Sequence, residues 1–233
     1  MTALNYLTQN PLLHMGMIVP IKRGTAQILY AGEDGVCLLE TKSGAHMLSV
    51  SSLETGRALL SQLPSKGIFS FHQPFMLDDF KEKVRFSTLL ENYQAVYLSE
   101  EPLPISCDIE IKPLGINHFD VIMGTYDVDV GADYLKNRLE SKELFGGFVG
   151  AELVGFIGVH AEGSIGMLKV FDQHLKKGYG TALTSYAINH QLAQDIIPFE
   201  QVGVNNKASL AIAQKLGFSI STDKVYWLFH SDF

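Results

Sequence analysis

The chain is poor in cysteine and tryptophan: its 233 residues include only Cys37, Cys107 and Trp227 of these types. Two thiols far apart, with no Cys-x-x-Cys and no Cys/His ligand spacing, exclude a disulfide framework and a zinc site and fit a reduced cytosol. Positive charge is also scarce, with 18 Lys and Arg against 25 Asp and Glu and a formal charge of -7. Nucleic acid and anionic membrane are therefore not expected as partners, because binding either calls for a basic face. At the N-terminus Asn5, Gln9 and Asn10 interrupt the apolar residues with no basic region before them. No window reaches the ~18 uninterrupted apolar residues of a span, so neither a signal peptide nor a membrane helix is expected. His14, His46, His72, His118, His174, His190 and His230 are scattered without ligand spacing, and no metal is expected.

A hydrophobic share of 46% with 18% charged residues is enough for one large core or two modest ones in a globular chain. Glu100-Glu101-Pro102-Leu103-Pro104 reads as a linker, since each proline removes a donor and biases its predecessor to extended geometry. It divides the chain into a smaller α+β domain, residues 1–104, and a second domain, residues 105–233. In the second, Ile105 to Lys112 alternates as a strand, and Asn117 to Tyr126 and Ala132 to Ser141 suit two short helices overhanging a cleft. Leu144 to Val149, Leu153 to His160 and Ile165 to Phe171 read as three antiparallel strands. A helix from Gly178 to about Gln194, a strand from Phe199 to Val204, a helix from Lys207 to Leu216 stopped by Gly217, and a closing hairpin (Phe218 to Ser221, Val225 to Phe229) follow.

The first domain echoes that order faintly. Ala26 to Ala31, Val36 to Glu40 and Ala45 to Val50 read as strands, Glu54 to Leu63 as a helix and Gly67 to Phe71 as a fourth strand. Its helix begins with the capping box Ser51-Ser52-Leu53-Glu54, which satisfies the free N–H groups and sets a carboxylate where a phosphate would sit. The expectation is a degenerate half that holds no coenzyme; an unrelated small α+β domain is the alternative.

Met167 to Thr181 carries the chemistry: an apolar strand, a polar loop with Lys176 and Lys177, then Gly178-Tyr179-Gly180-Thr181 opening an amphipathic run. Glycines let several backbone N–H groups converge, and a helix start adds partial positive charge, a combination suited to a diphosphate. A plain strand-to-helix turn also begins this way. The second motif, Asn206-Lys207-Ala208-Ser209 running to Lys215-Leu216-Gly217-Phe218, follows a predicted strand.

Together these segments resemble the GNAT superfamily of acetyl-coenzyme A dependent N-acetyltransferases, over roughly the last half of the chain from about Ile105. The resemblance implies a GNAT fold, a mixed and mostly antiparallel sheet flanked by helices, with the pyrophosphate on Lys176, Lys177, Gly178, Tyr179, Gly180 and Thr181. It also implies pantetheine and oxyanion contacts from the backbone of Leu168, Lys169 and Val170, and further coenzyme contacts from Asn206 and Ser209. Two positions depart from the family: Leu175 stands where Arg or Gln is usual, and Ala213 where a Tyr often protonates the leaving thiolate.

Acetyl transfer to an amine needs a base and an oxyanion site. His160 and Glu162, two residues apart where one strand turns into the next, are the candidate bases, with Glu162 preferred and His160 second; a solvated turn is the bland reading of both. The acceptor expected is a primary amine of a small molecule or peptide, and a homodimer is among the compatible assemblies. A coenzyme-binding sensor without turnover is the alternative function, and longer acyl donors are a variant, by resemblance to the tandem glycine N-acyltransferases.

Overall fold

Three helices of this protein start in three ways, and the differences bear on where an anion can bind. A computed structural model describes residues 2–126 and 131–229. Its elements are α1 (Ala3–Leu7), α2 (Pro11–Lys22), β1 (Ala26–Ala31), β2 (Gly35–Glu40), β3 (Ala45–Val50), α3 (Leu53–Gln62), β4 (Ile68–Phe71), α4 (Leu77–Lys83) and β5 (Thr88–Val96). There follow β6 (Glu110–Pro113), α5 (Phe119–Thr125), α6 (Ala132–Glu140), β7 (Leu144–Val149), β8 (Glu152–Val159), β9 (Ile165–Val170), α7 (Tyr179–Leu192), β10 (Phe199–Gly203), α8 (Lys207–Lys215) and β11 (Ser219–Phe229). The Asn10 side chain accepts from the Leu13 amide and Pro11 occupies the first turn of α2; the Ser52 side chain accepts from the Thr55 amide at α3; Gly178 opens α7 with no side-chain cap. His230 lies outside the described residues.

The chain forms two units. The first takes residues up to Val96 with Gln201–Lys207 and the strand from Ser219; the second takes Tyr97–Glu200 and Ala208–Phe218. The closing segment thus packs with the first unit, whereas a simple division at residue 104 would leave it with the second. Its pairing gives the reason: Tyr226, Trp227 and Leu228 pair with Phe71, Ser70 and Phe69 of β4, and the same strand pairs along β5 from Ser219–Val96 to Phe229–Thr88. The expected hairpin at 218–229 is instead this single strand. Thr222 and Asp223 fall where the register shifts between Ile220 and Lys224, and the Ser221 hydroxyl bridges the interruption by accepting from the Gln94 amide at 3.0 Å.

In the first unit the sheet order is β1-β2-β3-β4-β11-β5. As the sequence suggests, three antiparallel strands lead through a helix to a parallel strand: β3 and β4 pair from Ala45–Ile68 to Leu48–Phe71. Phe69, Phe71, Phe80 and Leu48 are buried in its core, Phe71 stacking on Phe80 with centroids 4.2 Å apart.

The second unit has the order β9-β8-β7-β6, with Glu200 at the start of β10 paired to Ile165 of β9. Its core under α5 and α6 gathers Leu114, Ile122, Leu135, Leu139, Leu144, Phe148, Phe156 and Met167. The first strand is shorter than expected, Glu110–Pro113 in place of Ile105 to Lys112, because Cys107 leaves the ladder and its thiol donates to the Lys177 carbonyl at 3.6 Å. The linker is strapped to α7: the Asn189 side chain accepts from the Leu103 amide and donates to the Leu103 carbonyl. Helix α8 ends where the sequence places it. Gly217 adopts φ 85°, its amide bonds the Gln214 carbonyl at 3.2 Å and the Phe218 amide bonds Ala213 at 3.0 Å, a Schellman ending that accounts for Leu-Gly-Phe.

Candidate active site

The strand β9 is irregular in two respects. Its parallel ladder with β10 consists of one pair, Ile165 opposite Glu200, whereas the parallel β3–β4 ladder runs for four pairs. It is also bulged: Gly158 faces Gly166 and Phe156 faces Lys169, so three steps on β9 match two on β8, and Met167 takes φ 53° while buried at 2% exposure. A non-glycine residue held in the left-handed region is a cost the surrounding structure must impose, and a bulge frees backbone groups from the ladder.

Beyond β9, Asp172–His174 form a 3-10 turn, Lys176 adopts φ 63° and Gly178 φ 86°. Two left-handed residues, separated by one, turn the chain sharply into the start of α7. Buried His174 anchors the loop, its Nε2 3.0 Å from Glu152 Oε1, so Lys176 and Lys177 project from a fixed base into solvent. The first intrahelical bond of α7 runs from the Ala182 amide to the Gly178 carbonyl at 3.0 Å, which leaves the amides of the first turn facing outward, and no acidic residue stands there. Helix α3 has the opposite start, with Ser52 capping and Glu54 in its first turn. Gly178 is required on two counts: its φ, and Cys107 Sγ 2.9 Å from where a Cβ would lie.

A cleft of about 550 Å³ lies beside the end of β9, lined by Val121, Gly124 and Thr125 of α5, Leu153, Lys169, Phe171, Asp172 and Gln173. It is apolar on the helix side and holds one residue of each charge on the strand side. Leu168 lies in the bulge and Lys169 and Val170 past it, all half-buried, and Lys176 to Thr181 follow at the same end of the strand. Ser209 lies in the first turn of α8 in the second unit, whereas Asn206, whose amide bonds the Gly203 carbonyl at 2.8 Å, falls in the first. Leu175, where the resemblance expects Arg or Gln, is 51% exposed, and Ala213, where it expects Tyr, is fully buried.

His160 and Glu162 sit at the other end of β9, in the turn closed by His160 N–H to the Ser164 carbonyl at 2.8 Å. Glu162 is 7% exposed and accepts a hydrogen bond from the Ser164 hydroxyl. His160 Nδ1 is 2.8 Å from the Tyr134 hydroxyl, and its ring lies across Gly166, where any Cβ would collide with Nε2. The solvated turn of the bland reading is thus replaced by a packed one, with the buried Gln191 side chain donating to the Gly163 carbonyl at 2.7 Å.

Sequence reasoning missed two groups. Tyr134, on α6, meets His160 across 26 residues, and nothing local announces it. Glu200, at the single pair of the β9–β10 ladder, has its carboxyl pushed up to about 8 by burial; an acid directly after Phe199 in a strand was the available signal. Among the described residues no group of three or more His, Cys, Asp or Glu is placed to hold a metal ion, and no helix is long and apolar enough to cross a membrane.

Residues 147–228 match the family model described as FR47-like protein. No curated protein sequence matches the chain. Among solved structures it is similar to a Drosophila protein (13% identity, TM-score 0.69, 98% of this chain and 94% of that one). It is similar also to a GNAT-family acetyltransferase from Novosphingobium aromaticivorans (11%, TM-score 0.57, 95% and 97%) and to a GCN5-related N-acetyltransferase-like protein from Streptococcus suis (11%, TM-score 0.55, 98% and 100%). The chain shares its fold with these proteins, and residues 147–228 carry the FR47-like match.

Proposed function

We propose that the protein transfers an acetyl group from acetyl-coenzyme A to a primary amine of a small-molecule or peptidic acceptor. The observation that carries this reading is the start of α7, with its amides uncapped, its first turn free of acid and two left-handed residues leading into it. In that arrangement Lys176 to Thr181 hold the pyrophosphate, and Leu168 to Val170 hold the pantetheine arm and carbonyl oxygen. We assign the first half, whose helix is capped by Ser52 and whose parallel ladder is continuous, to a degenerate copy that binds no coenzyme.

Glu162 is the base of this reading. Its carboxylate takes one proton from the acceptor ammonium, directly or through water; the amine nitrogen then attacks the thioester carbon, and the C–S bond breaks as the carbonyl re-forms. The nitrogen gives up its second proton to solvent as the amide forms, and the thiolate takes its proton from solvent, since Ala213 offers none. Glu200 is the competing base, favoured by a carboxyl already tuned to near-neutral pH.

Titration calorimetry with coenzyme A and acetyl-coenzyme A, followed by thiol release over a panel of amines and acyl chains, tests the proposal. Absence of coenzyme binding refutes it. A second reading, a coenzyme sensor, draws on buried Ala213 and exposed Leu175 at two motif positions, and saturable binding without transfer to any amine selects it.

A further inference from the structure

The hydroxyl of Tyr134 stands between two partners whose demands fix its direction. The Ala161 amide, 3.3 Å away, has a hydrogen to give and can only donate to the Tyr134 oxygen. His160 Nδ1, at 2.8 Å, is the other neighbour. If Nδ1 also donated, a half-buried phenol would be left with no protein partner for its O–H, a loss of about 1 kcal/mol. The phenol keeps its proton, because burial, with the Glu162 charge adding to it, pushes its titration upward. The O–H therefore points at Nδ1, and the neutral imidazole carries its hydrogen on Nε2. The two rings lie nearly parallel, 28° apart, and the Arg138 guanidinium lies 5.7 Å from the phenol ring.

Nε2 lies over Gly166, one residue before the strained Met167, and only a glycine leaves it room there. We infer that Tyr134 is a positioning residue that locks His160 as the Nε2–H tautomer, so that His160 serves the bulge of β9 as a hydrogen-bond donor to the carbonyl oxygen rather than as a base. No proton is transferred in this role: as the carbonyl π pair moves onto oxygen, the Nε2–H bond stays intact and its hydrogen bond to the developing charge strengthens. The donor reverses the direction of proton traffic that a histidine in this turn suggests from sequence. The catalytic half of the inference rests on the acetyl-transfer reading; the tautomer does not.

The test begins with two-bond 15N–1H correlation spectra of the full chain labelled in histidine, at alkaline pH. The expected result is His160 protonated at Nε2 in the native protein and a mixture of tautomers in Tyr134→Phe. A native His160 protonated at Nδ1, or an unchanged tautomer in Tyr134→Phe, overturns the lock. In acetyl-coenzyme A turnover, with an acceptor or with water, His160→Ala is expected to lower kcat by about 10²-fold or more, the size of a lost oxyanion donor. His160→Gln, whose amide N–H reaches the Nε2 position, should stay within about tenfold of native with the coenzyme Kd unchanged in both. Equal losses in the two variants overturn the donor role. Failure of the native protein to bind coenzyme would refute acetyl transfer instead, and it would leave the spectra as they are.

Discussion

Glu200 offers a quantitative handle on the second unit. Its carboxyl titrates at about 8 in the folded protein against an ordinary 4.5, with burial as the cause. A raised carboxyl means that the folded state holds its proton where the unfolded state has lost it, so the stability it contributes is complete below pH 4.5 and is lost as pH rises toward 8. Over that window the slope approaches about 1.4 kcal/mol per pH unit. Between pH 5 and pH 8 the unfolded carboxyl is increasingly ionised while the folded one is still half protonated at the upper end, and the loss amounts to about 3 kcal/mol. Glu200→Gln removes the titration and keeps the shape. Urea denaturation of native protein and variant at both pH values, read as the difference between them, cancels every other titrating group. The variant should gain about 3 kcal/mol on the native protein between pH 5 and pH 8. Parallel stability profiles would refute the claim that this carboxyl is desolvated, and with it the case for Glu200 as the competing base.

Glu162→Gln is expected to lower turnover sharply with coenzyme affinity nearly intact, and unchanged steady-state rates would remove Glu162 from the mechanism. Gly178→Ala forces a side chain into φ 86° and brings a methyl 2.9 Å from Cys107 Sγ, so coenzyme binding by calorimetry should weaken about tenfold or more; Cys107→Ala in the same chain should recover only the steric part. In the first unit His72 is pushed down to about 3 by burial, with the neighbouring His14 ring 5.1 Å away adding to it, so the folded state stays neutral where the unfolded imidazole charges. Stability is then lost as pH falls below the ordinary 6.5, by about 2 kcal/mol at pH 5 from His72 alone, and a urea midpoint that does not move between pH 7 and pH 5 contradicts it. Superposing β1–β3, α3 and β4 on β7–β9, α7 and β10 tests the duplication: a poor match over those five elements ends it.

Local pattern alone determined a good deal of this protein. The glycines at 178 and 217 punctuate helices because only their backbones relax at φ 86° and 85°, the Ser52 and Glu54 start marks α3 as occupied at its N-terminus, and the order of three strands, helix and strand is legible twice because alternation and turn residues are short-range signals. What the tertiary structure decided depends on partners far along the chain. A ladder of one pair in the second unit against four in the first is a matter of register, which no single strand encodes. The bulge that strains Met167 needs β8 alongside, the tautomer of His160 needs Tyr134, and the carboxyl of Glu200 is shifted by burial that its own neighbours in sequence do not supply. The strand β11 joined the unit that offered it two paired edges, β4 and β5, because backbone hydrogen bonds are satisfied by geometry in space and not by nearness in sequence.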